Sequence, residues 1–200
     1  MRNNDWEDNL TLWTKTVETN PYNSRAHDNL GFTYDHLGDE RAFLEFKKAV
    51  ELMPSNFRAL SNLGVAYANR KQYNKSIILM EKALEIRQYH KTYDKLGLVY
   101  YEINDIDNAI KSFEKAIEIN PRYAKAYNDI ATVYGRIGEF DLALENLKKA
   151  VKLDKDYADA HYNLGILYEF LDEGGLARKE FEIAFKLEPE NELYKKKIDR

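Results

Sequence analysis

Residues 93–121 of this chain, YDKLGLVYYEINDIDNAIKSFEKAIEINP, contain two helical patterns joined by a turn. Leu96 and Tyr100 are four residues apart and share one helix face, and Asn104-Asp105 has the side-chain chemistry of a turn. Apolar residues then recur at helical spacing, at Ile106, Ala109, Ile110, Phe113 and Ile117. Pro121 ends this second helix because the residue before a proline disfavours the α region. The stretch therefore predicts an antiparallel helix pair.

The same pattern recurs along the chain every 33 or 34 residues. The small residue after Leu96 has a counterpart in each unit, giving the series Gly31, Gly64, Gly97, Ala131 and Gly165. A tyrosine follows three residues later each time, at Tyr34, Tyr67, Tyr100, Tyr134 and Tyr168. A second-helix alanine also recurs, at Ala49, Ala83, Ala116, Ala150 and Ala184. Self-similarity at this period indicates a repeat protein, whose helix pairs pack on their neighbours rather than around one central core.

These columns resemble the tetratricopeptide repeat (TPR) family, whose pattern is W-x2-L-G-x2-Y, then A-x3-F, then P. Residues 93–121 match every position except the first, where Tyr93 replaces the tryptophan. The resemblance implies an all-α solenoid, a right-handed superhelix of about five helix-turn-helix repeats with terminal capping helices. The predicted segments are an N-terminal capping helix or half repeat at 1–23, repeats at 24–56, 57–89, 90–123, 124–157 and 158–191, and a capping segment at 192–200.

The N-terminal segment predicts one amphipathic helix, because Trp6, Leu10, Trp13 and Val17 form an apolar stripe. It resembles the second helix of a repeat without its first helix. The chain is therefore either a fragment of a longer array or capped by this helix. Since its outer side, including Leu12, would stay open, we also predict self-association through residues 6–17.

Two other segments depart from the pattern. Repeat two has Ser76, Met80 and Gln88 at family positions, and Gln88 stands where proline would end the helix. We therefore expect the second helix of that repeat to run on through Arg87 to His90. The lysine run at residues 195–197 indicates either a solvated helix face or a nuclear or nucleic-acid signal.

Composition restricts the function classes. The formal net charge is −4, with 30 basic and 34 acidic residues, which argues against a general nucleic-acid binder. The chain has no cysteine, and no apolar run is long enough to span a membrane. Its first residues are polar and acidic, unlike a signal peptide, so we expect a cytoplasmic protein without membrane insertion.

No constellation of residues indicates catalysis. The histidines lack metal-ligand spacing, and His27 and His161 stand at a packing position of the repeat, where a structural role is favoured. No phosphate-binding loop or nucleophile motif is present. We therefore expect a protein that is not an enzyme and that needs no cofactor or metal.

The first helices of TPR proteins line a concave groove, and this resemblance places three columns of side chains there. The columns are counted with Leu30 and its equivalents as the seventh position of each repeat. The second column holds the cations Arg25, Arg58, Lys91 and Lys125 and then Asp159, and the sixth holds Asn29, Asn62, Lys95, Asp129 and Asn163. The ninth column contains the apolar residues Phe32, Val65, Leu98 and Ile166. The amides resemble the asparagine ladders that clamp extended peptides, or they are simply the common repeat consensus. The cations indicate an acidic ligand, or a solvated face paired with Asp28 and Asp94.

The function that this resemblance implies is a protein-protein interaction scaffold. We expect a non-catalytic adaptor that binds a protein or peptide ligand, acidic or extended, in the groove. The alternative is the substrate-recognition arm of a larger enzyme or membrane protein, similar to the TPR arms of glycosyltransferases.

Overall fold

The computed structural model describes the backbone of residues 2–198 and the side chains of residues 8–198, within which twelve α-helices and no β-strand occur. The helices are α1 (Arg2–Thr19), α2 (Ser24–His36), α3 (Arg41–Leu52), α4 (Phe57–Ala68), α5 (Tyr73–Ile86), α6 (His90–Glu102), α7 (Ile106–Ile119), α8 (Ala124–Arg136), α9 (Phe140–Leu153), α10 (Ala158–Phe170), α11 (Gly174–Leu187) and α12 (Glu192–Ile198). The chain divides into two compact units, Met1–Val99 and Tyr100–Arg200, and the division falls inside α6. The predicted all-α fold is confirmed.

Polar side chains set the start of several helices. The Oδ1 atoms of Asn23 and Asn56 accept hydrogen bonds from the backbone N–H groups of Ala26 and Ala59, at 3.1 and 3.2 Å. These contacts satisfy amide groups that the first turn of a helix leaves without a helical partner. The two asparagines therefore fix the starts of α2 and α4, which carry much of the predicted binding face.

Each of the five hairpin turns contains one residue with a left-handed backbone. These residues are Gly38, Lys71, Asn104, Gly138 and Asp172, with φ between 57° and 83°. In every turn the next residue donates its backbone N–H to the carbonyl of the column tyrosine, at 2.8 to 3.0 Å. This closure satisfies a free carbonyl at the end of the first helix. Because only glycine adopts this conformation without steric strain, the turns at Gly38 and Gly138 are the least strained.

The small position of the repeat is a close contact between the two helices of a hairpin. A Cβ atom added to Gly31 would lie 2.7 Å from the ring of Phe46, and one added to Gly64 would lie 2.8 Å from Met80 Cγ. The corresponding distance from Gly165 to the ring of Phe181 is 2.6 Å. Such distances leave no room for a side chain, so the glycine lets the helices approach.

The N-terminal helix packs on the first hairpin, as its apolar stripe predicts. Leu10, Trp13 and Val17 lie against the buried cluster that includes Leu30 and Tyr34. The side chain of Trp6, the remaining member of the predicted stripe, lies outside the described residues. Leu12 is 53% exposed on the other side of α1. Self-association through residues 6–17 stays a prediction, which sedimentation of a Leu12→Lys variant would check.

The expectation that the second helix of repeat two continues to His90 is wrong. Helix α5 ends at Ile86, and Arg87 has an extended backbone with φ of −150°. The guanidinium of Arg87 lies 5.0 Å from the ring centre of Phe57, and the ring of Tyr89 meets that ring edge-on at 5.6 Å. This cation–π and aromatic packing stabilises the chain reversal at a place where three of the other repeats have a proline.

We expect Ser76→Ala to raise the free energy of unfolding by about 1 kcal/mol, because its buried hydroxyl has no hydrogen-bond partner. Alanine occupies the same column in the other repeats, at Ala42, Ala109, Ala143 and Ala177. Urea unfolding followed by circular dichroism measures the change. Ser112→Ala is the matched control, since the hydroxyl of Ser112 donates to the carbonyl of Asn108 at 2.7 Å. An equal gain in the control would contradict the argument.

Candidate functional site

The predicted binding residues of the first unit lie on α2, α4 and the beginning of α6. Arg25, Asn29 and Arg58 line a pocket of about 490 Å³ beside the starts of α2 and α4. Arg58 also lines a neighbouring pocket of about 150 Å³, together with Phe32, Asn62, Lys91 and Lys95. The structure thus brings seven predicted residues to two adjoining pockets.

Val65 and Leu98, the two other predicted residues of this unit, line neither pocket. Val65 is half-buried on α4, whereas Leu98 is exposed on α6.

A chain of hydrogen bonds connects three helices beneath these pockets. The ammonium of Lys95 donates to Asn62 Oδ1 at 3.0 Å, and Asn62 Nδ2 donates to Asp28 Oδ1 at 2.9 Å. Asp28 is only 3% exposed, and burial raises the pKa of its carboxyl, although Asn62 and the nearby cations oppose that change. Burial also disfavours the charged form of Lys95 and so lowers its pKa, although the attraction of Asp28 opposes this change. Asn62 therefore links neighbouring repeats and keeps one N–H for a ligand.

The same link recurs in the second unit. Asn163 Nδ2 donates to Asn128 Oδ1 at 2.9 Å, and Asn128 Nδ2 donates to Asp129 Oδ1 at 3.0 Å. Asp129 also forms an ion pair with Lys125. Lys125 thus forms an ion pair within its own helix, whereas Arg25, Arg58 and Lys91 form none among residues 8–198. The amide column of the sequence is therefore in part a set of contacts between repeats.

The pocket that predicted residues of the second unit line is more apolar than the two pockets of the first unit. Asn163 and Ile166 line a pocket of about 330 Å³ with Phe140 and Phe170, whose ring centres are 4.5 Å apart. Phe170 is 64% exposed. Two predicted binding residues of this unit thus meet at an apolar pocket, whereas Lys125 and Asp129 do not line it.

Sequence reasoning missed the partners of these amides. Asp28 and Asn128 each directly precede a predicted groove residue, and both side chains are buried. A polar residue recurs at this place in four repeats, with Ser61 and Asp94 as the other two members, which is the signal that could have identified the column. Buried polar groups need hydrogen-bond partners, so such a column predicts contacts between repeats.

The two histidines at the packing position are held by two acceptors each, consistent with the predicted structural role. His27 Nδ1 lies 2.6 Å from Glu45 Oε2, and its Nε2 lies 3.0 Å from the carbonyl of Pro21. His161 Nδ1 lies 2.6 Å from Glu180 Oε2, and its Nε2 lies 3.1 Å from the carbonyl of Lys155. A neutral imidazole has only one N–H, so the two bonds of His161 are both complete only when its ring is protonated. The hydrogen bond to Glu180 accordingly raises the pKa of His161.

This arrangement makes stability depend on pH. Because the folded-state pKa of His161 lies above the reference value of 6.5, its contribution is fully present below pH 6.5 and is lost as the pH rises through the folded-state pKa. We expect the stability advantage of the native chain over His161→Tyr to shrink as the pH rises above 6.5 and through the raised pKa of His161. Urea unfolding at several pH values measures it. Glu180→Gln should flatten the dependence, and an unchanged advantage at every pH would contradict the assignment.

Within residues 8–198, no group of three or more His, Cys, Asp or Glu side chains is placed to hold a metal ion. None of the helices described above combines the length and the apolar character needed to cross a membrane.

Comparison with known structures identifies the fold. The thermophilic TPR protein TTC0263 of Thermus thermophilus has a TM-score of 0.78 at 21% identity, over 88% of this chain and 97% of that one. The structure of the APC/C hetero-tetramer Cut9-Hcn1 has a TM-score of 0.87 at 16% identity. The match covers 98% of this chain but only 40% of the length of that chain. YrrB, a TPR protein with an unusual peptide-binding site, has a TM-score of 0.61 at 23% identity, over 94% of this chain and 98% of that one. At these identities the likeness shows the fold alone.

Sequence comparison identifies the family. No functionally curated protein matches the sequence. A family model described as TPR repeat matches residues 97–138 and 137–171, and one described as tetratricopeptide repeat matches residues 58–88. These matches together cover more than half of the chain and agree with the repeat columns and the helix hairpins. The chain therefore belongs to the tetratricopeptide repeat family, whose general function is that of a protein-interaction scaffold.

Proposed function

We propose that this chain is a non-catalytic scaffold that binds an acidic, extended segment of a partner protein on the first unit. The binding face comprises the predicted residues of α2, α4 and the beginning of α6. YrrB, a protein of this fold, is a TPR protein with a peptide-binding site, which supports a peptide as the kind of ligand.

The observation that carries the proposal is a set of exposed cations without a bonded counter-ion, although the buried carboxylate of Asp28 attracts Arg25 and Arg58. Arg25, Arg58 and Lys91 are exposed, and none of them forms a hydrogen bond or an ion pair within residues 8–198. By contrast, the cation of the same column in the second unit, Lys125, is paired with Asp129. Side chains of one charge sign at adjoining pockets attract a segment of the opposite sign and determine its orientation.

The neighbouring polar and apolar groups suit a peptide. Asn29 and Asn62 are half-buried, and an amide can both donate to and accept from a peptide backbone. Phe32 is exposed beside Asn62 in the smaller pocket and offers an apolar contact. The proposed face therefore combines charge, backbone recognition and an apolar wall.

We test the proposal by reversing the three charges. The variant Arg25→Glu, Arg58→Glu and Lys91→Glu should lose binding of a short glutamate-rich peptide, measured by fluorescence anisotropy, and should keep the helical circular dichroism signal. Each lost charged contact should weaken binding roughly tenfold, since hydrogen bonds to charged groups contribute about 1.5–3 kcal/mol.

The control has the same change in net charge at exposed lysines elsewhere, through Lys47→Glu, Lys82→Glu and Lys111→Glu. It should bind almost as the native chain does. If both variants lose binding equally, the attraction comes from overall charge and the proposed face is wrong. The same pair of variants then identifies native partners, as proteins that the control captures from a lysate and the face variant does not.

A further inference from the structure

The smaller pocket of the first unit has an unusual composition for its size. It encloses about 150 Å³ between α2, α4 and the beginning of α6. Arg58, Lys91 and Lys95 all line it, together with Asn62 and the aromatic side chains of Phe32 and Tyr89. Three cations thus converge on a volume that admits a small anionic group rather than a folded surface.

The charges in this pocket are not balanced from within. Lys95 is connected to the buried carboxylate of Asp28 through Asn62, and Asp35 and Asp94 also attract it. Asp28 also attracts Arg58, but Arg58 and Lys91 form no ion pair or hydrogen bond within residues 8–198. The pocket therefore presents two positive charges without a bonded counter-ion.

We propose that this pocket binds a phosphate monoester, the phosphorylated side chain of a residue in the bound partner segment. The inference rests on the proposed function, because it specifies the chemistry of the acidic segment. A phosphoserine carries between about −1.5 and −2 charges at neutral pH and has three acceptor oxygens. A carboxylate carries one charge and would leave one of the two cations without a bonded counter-ion.

The hydrogen-bond donors that line this pocket suit the oxygen atoms of a phosphate group. The guanidinium of Arg58 can give two parallel hydrogen bonds, whereas the ammonium of Lys91 acts as a mobile point charge. The second N–H of Asn62 is not used in the link to Asp28 and can donate to a third oxygen. Phe32, exposed at the rim, offers an apolar contact to the neighbouring part of the segment.

Three versions of one short peptide separate the chemistries. They carry phosphoserine, glutamate or serine at the same position in an otherwise glutamate-rich sequence, and fluorescence anisotropy measures their affinities for the full chain. We expect phosphoserine to bind at least about tenfold more tightly than glutamate, as one additional charged hydrogen bond would give. Equal affinities would overturn the phosphate inference and leave the acidic-segment function standing. If none of the three peptides binds, both are overturned.

Variants assign the preference to this pocket. Arg58→Gln with Lys91→Gln should abolish the preference for phosphoserine over glutamate, whereas Lys47→Gln with Lys82→Gln, which makes the same charge change outside the pocket, should preserve it. Preserved preference in the first variant would place the phosphate elsewhere and overturn the inference. Inorganic phosphate is the last arm, and we expect it to compete only at much higher concentration than the phosphopeptide. Competition at equal concentration would indicate a site for free phosphate and overturn the assignment to a protein segment.

Discussion

Replacing Gly165 by leucine will lower the free energy of unfolding by about 3 kcal/mol, at the upper end of what overpacking a buried contact usually costs. A Cβ atom at this position would lie 2.6 Å from the ring of Phe181, and Phe181 is itself buried. The ring cannot move away, because it belongs to a cluster with Leu164, Leu167 and Tyr168. Leucine adds three more carbon atoms at the same place, so the two helices of the hairpin have to separate.

A smaller substitution tests whether the steric conflict at Gly165 is with the side chain of Phe181. Repeat four carries Ala131 at the small position and Leu147 sixteen residues later, where repeat five carries Gly165 and Phe181. Both residues of the repeat-four pair are buried, so this combination packs well in the same molecule. We expect Gly165→Ala alone to destabilise, since the lost space outweighs the gain of about 0.5–1 kcal/mol from replacing a helical glycine. The double variant Gly165→Ala, Phe181→Leu should recover stability relative to the sum of the single changes.

Urea unfolding of the native chain, both single variants and the double variant gives a coupling energy, which we expect to be about 1 kcal/mol or more in favour of the double variant. Additive effects would show that the ring of Phe181 is not what excludes a side chain at Gly165. Gly135→Ala is the matched control, because a Cβ atom on Gly135 meets nothing within 4 Å. It should leave stability unchanged or raise it. For Gly97, a substitution to leucine is expected to cost about 1–3 kcal/mol, and this stays a prediction.

The repeat columns explain why much of the fold could be predicted from the sequence. Gly31, Gly64 and Gly165 are small because the facing ring or thioether occupies the space, so each column position directly reflects a local contact. Such contacts lie within one hairpin, about sixteen residues apart, and the helical period alone places them. The end of α5 could not be predicted in this way. It is stabilised by the packing of Arg87 on Phe57, and these two residues are at opposite ends of the hairpin in sequence. Local pattern rules contain no information about that contact.

The candidate site was harder to predict for the same physical reason. The cations Arg25, Arg58 and Lys91 could be predicted because they occupy the same position in three successive repeats. The bonds from Asn62 to Asp28 and from Asn163 to Asn128 connect side chains of successive repeats, 34 and 35 residues apart. Their formation depends on the distance and rotation between packed helices. Consequently, the sequence indicates which residues share a face, and the packing decides which of them already have a partner.

Replacing Tyr194 by alanine will detach the C-terminal helix and destabilise the end of the array, with an expected loss of about 3–5 kcal/mol, as for other large buried aromatic side chains. Tyr194 is 1% exposed and packs on Ala158 and Ala184, and its ring centre lies 4.9 Å from that of Tyr162. Helix α12 has seven residues, so it is too short to be stable without this contact. Its loss would expose the apolar surface of the last hairpin to water.

The hydroxyl of Tyr194 contributes a smaller and separable part. It donates a hydrogen bond to Asp159 Oδ1 at 2.5 Å, and burial together with this bond raises the pKa of Tyr194, so the ring stays neutral at physiological pH. Tyr194→Phe removes only this bond and should cost about 1 kcal/mol. Water can solvate Asp159 after the change, because that residue is exposed.

The neighbouring residue of α12 supplies the control for both variants. Leu193 is 59% exposed, so Leu193→Ala should leave stability almost unchanged although it removes a residue of similar apolar character from the same helix. Hydrogen exchange of the amides in α10, α11 and α12 locates the effect, and urea unfolding gives its size. We expect rapid exchange throughout α12 in Tyr194→Ala and protection near the native level in Leu193→Ala. Native protection of α12 in Tyr194→Ala would show that the helix is held by its charged residues, such as Lys197 with Glu169, and not by the buried ring.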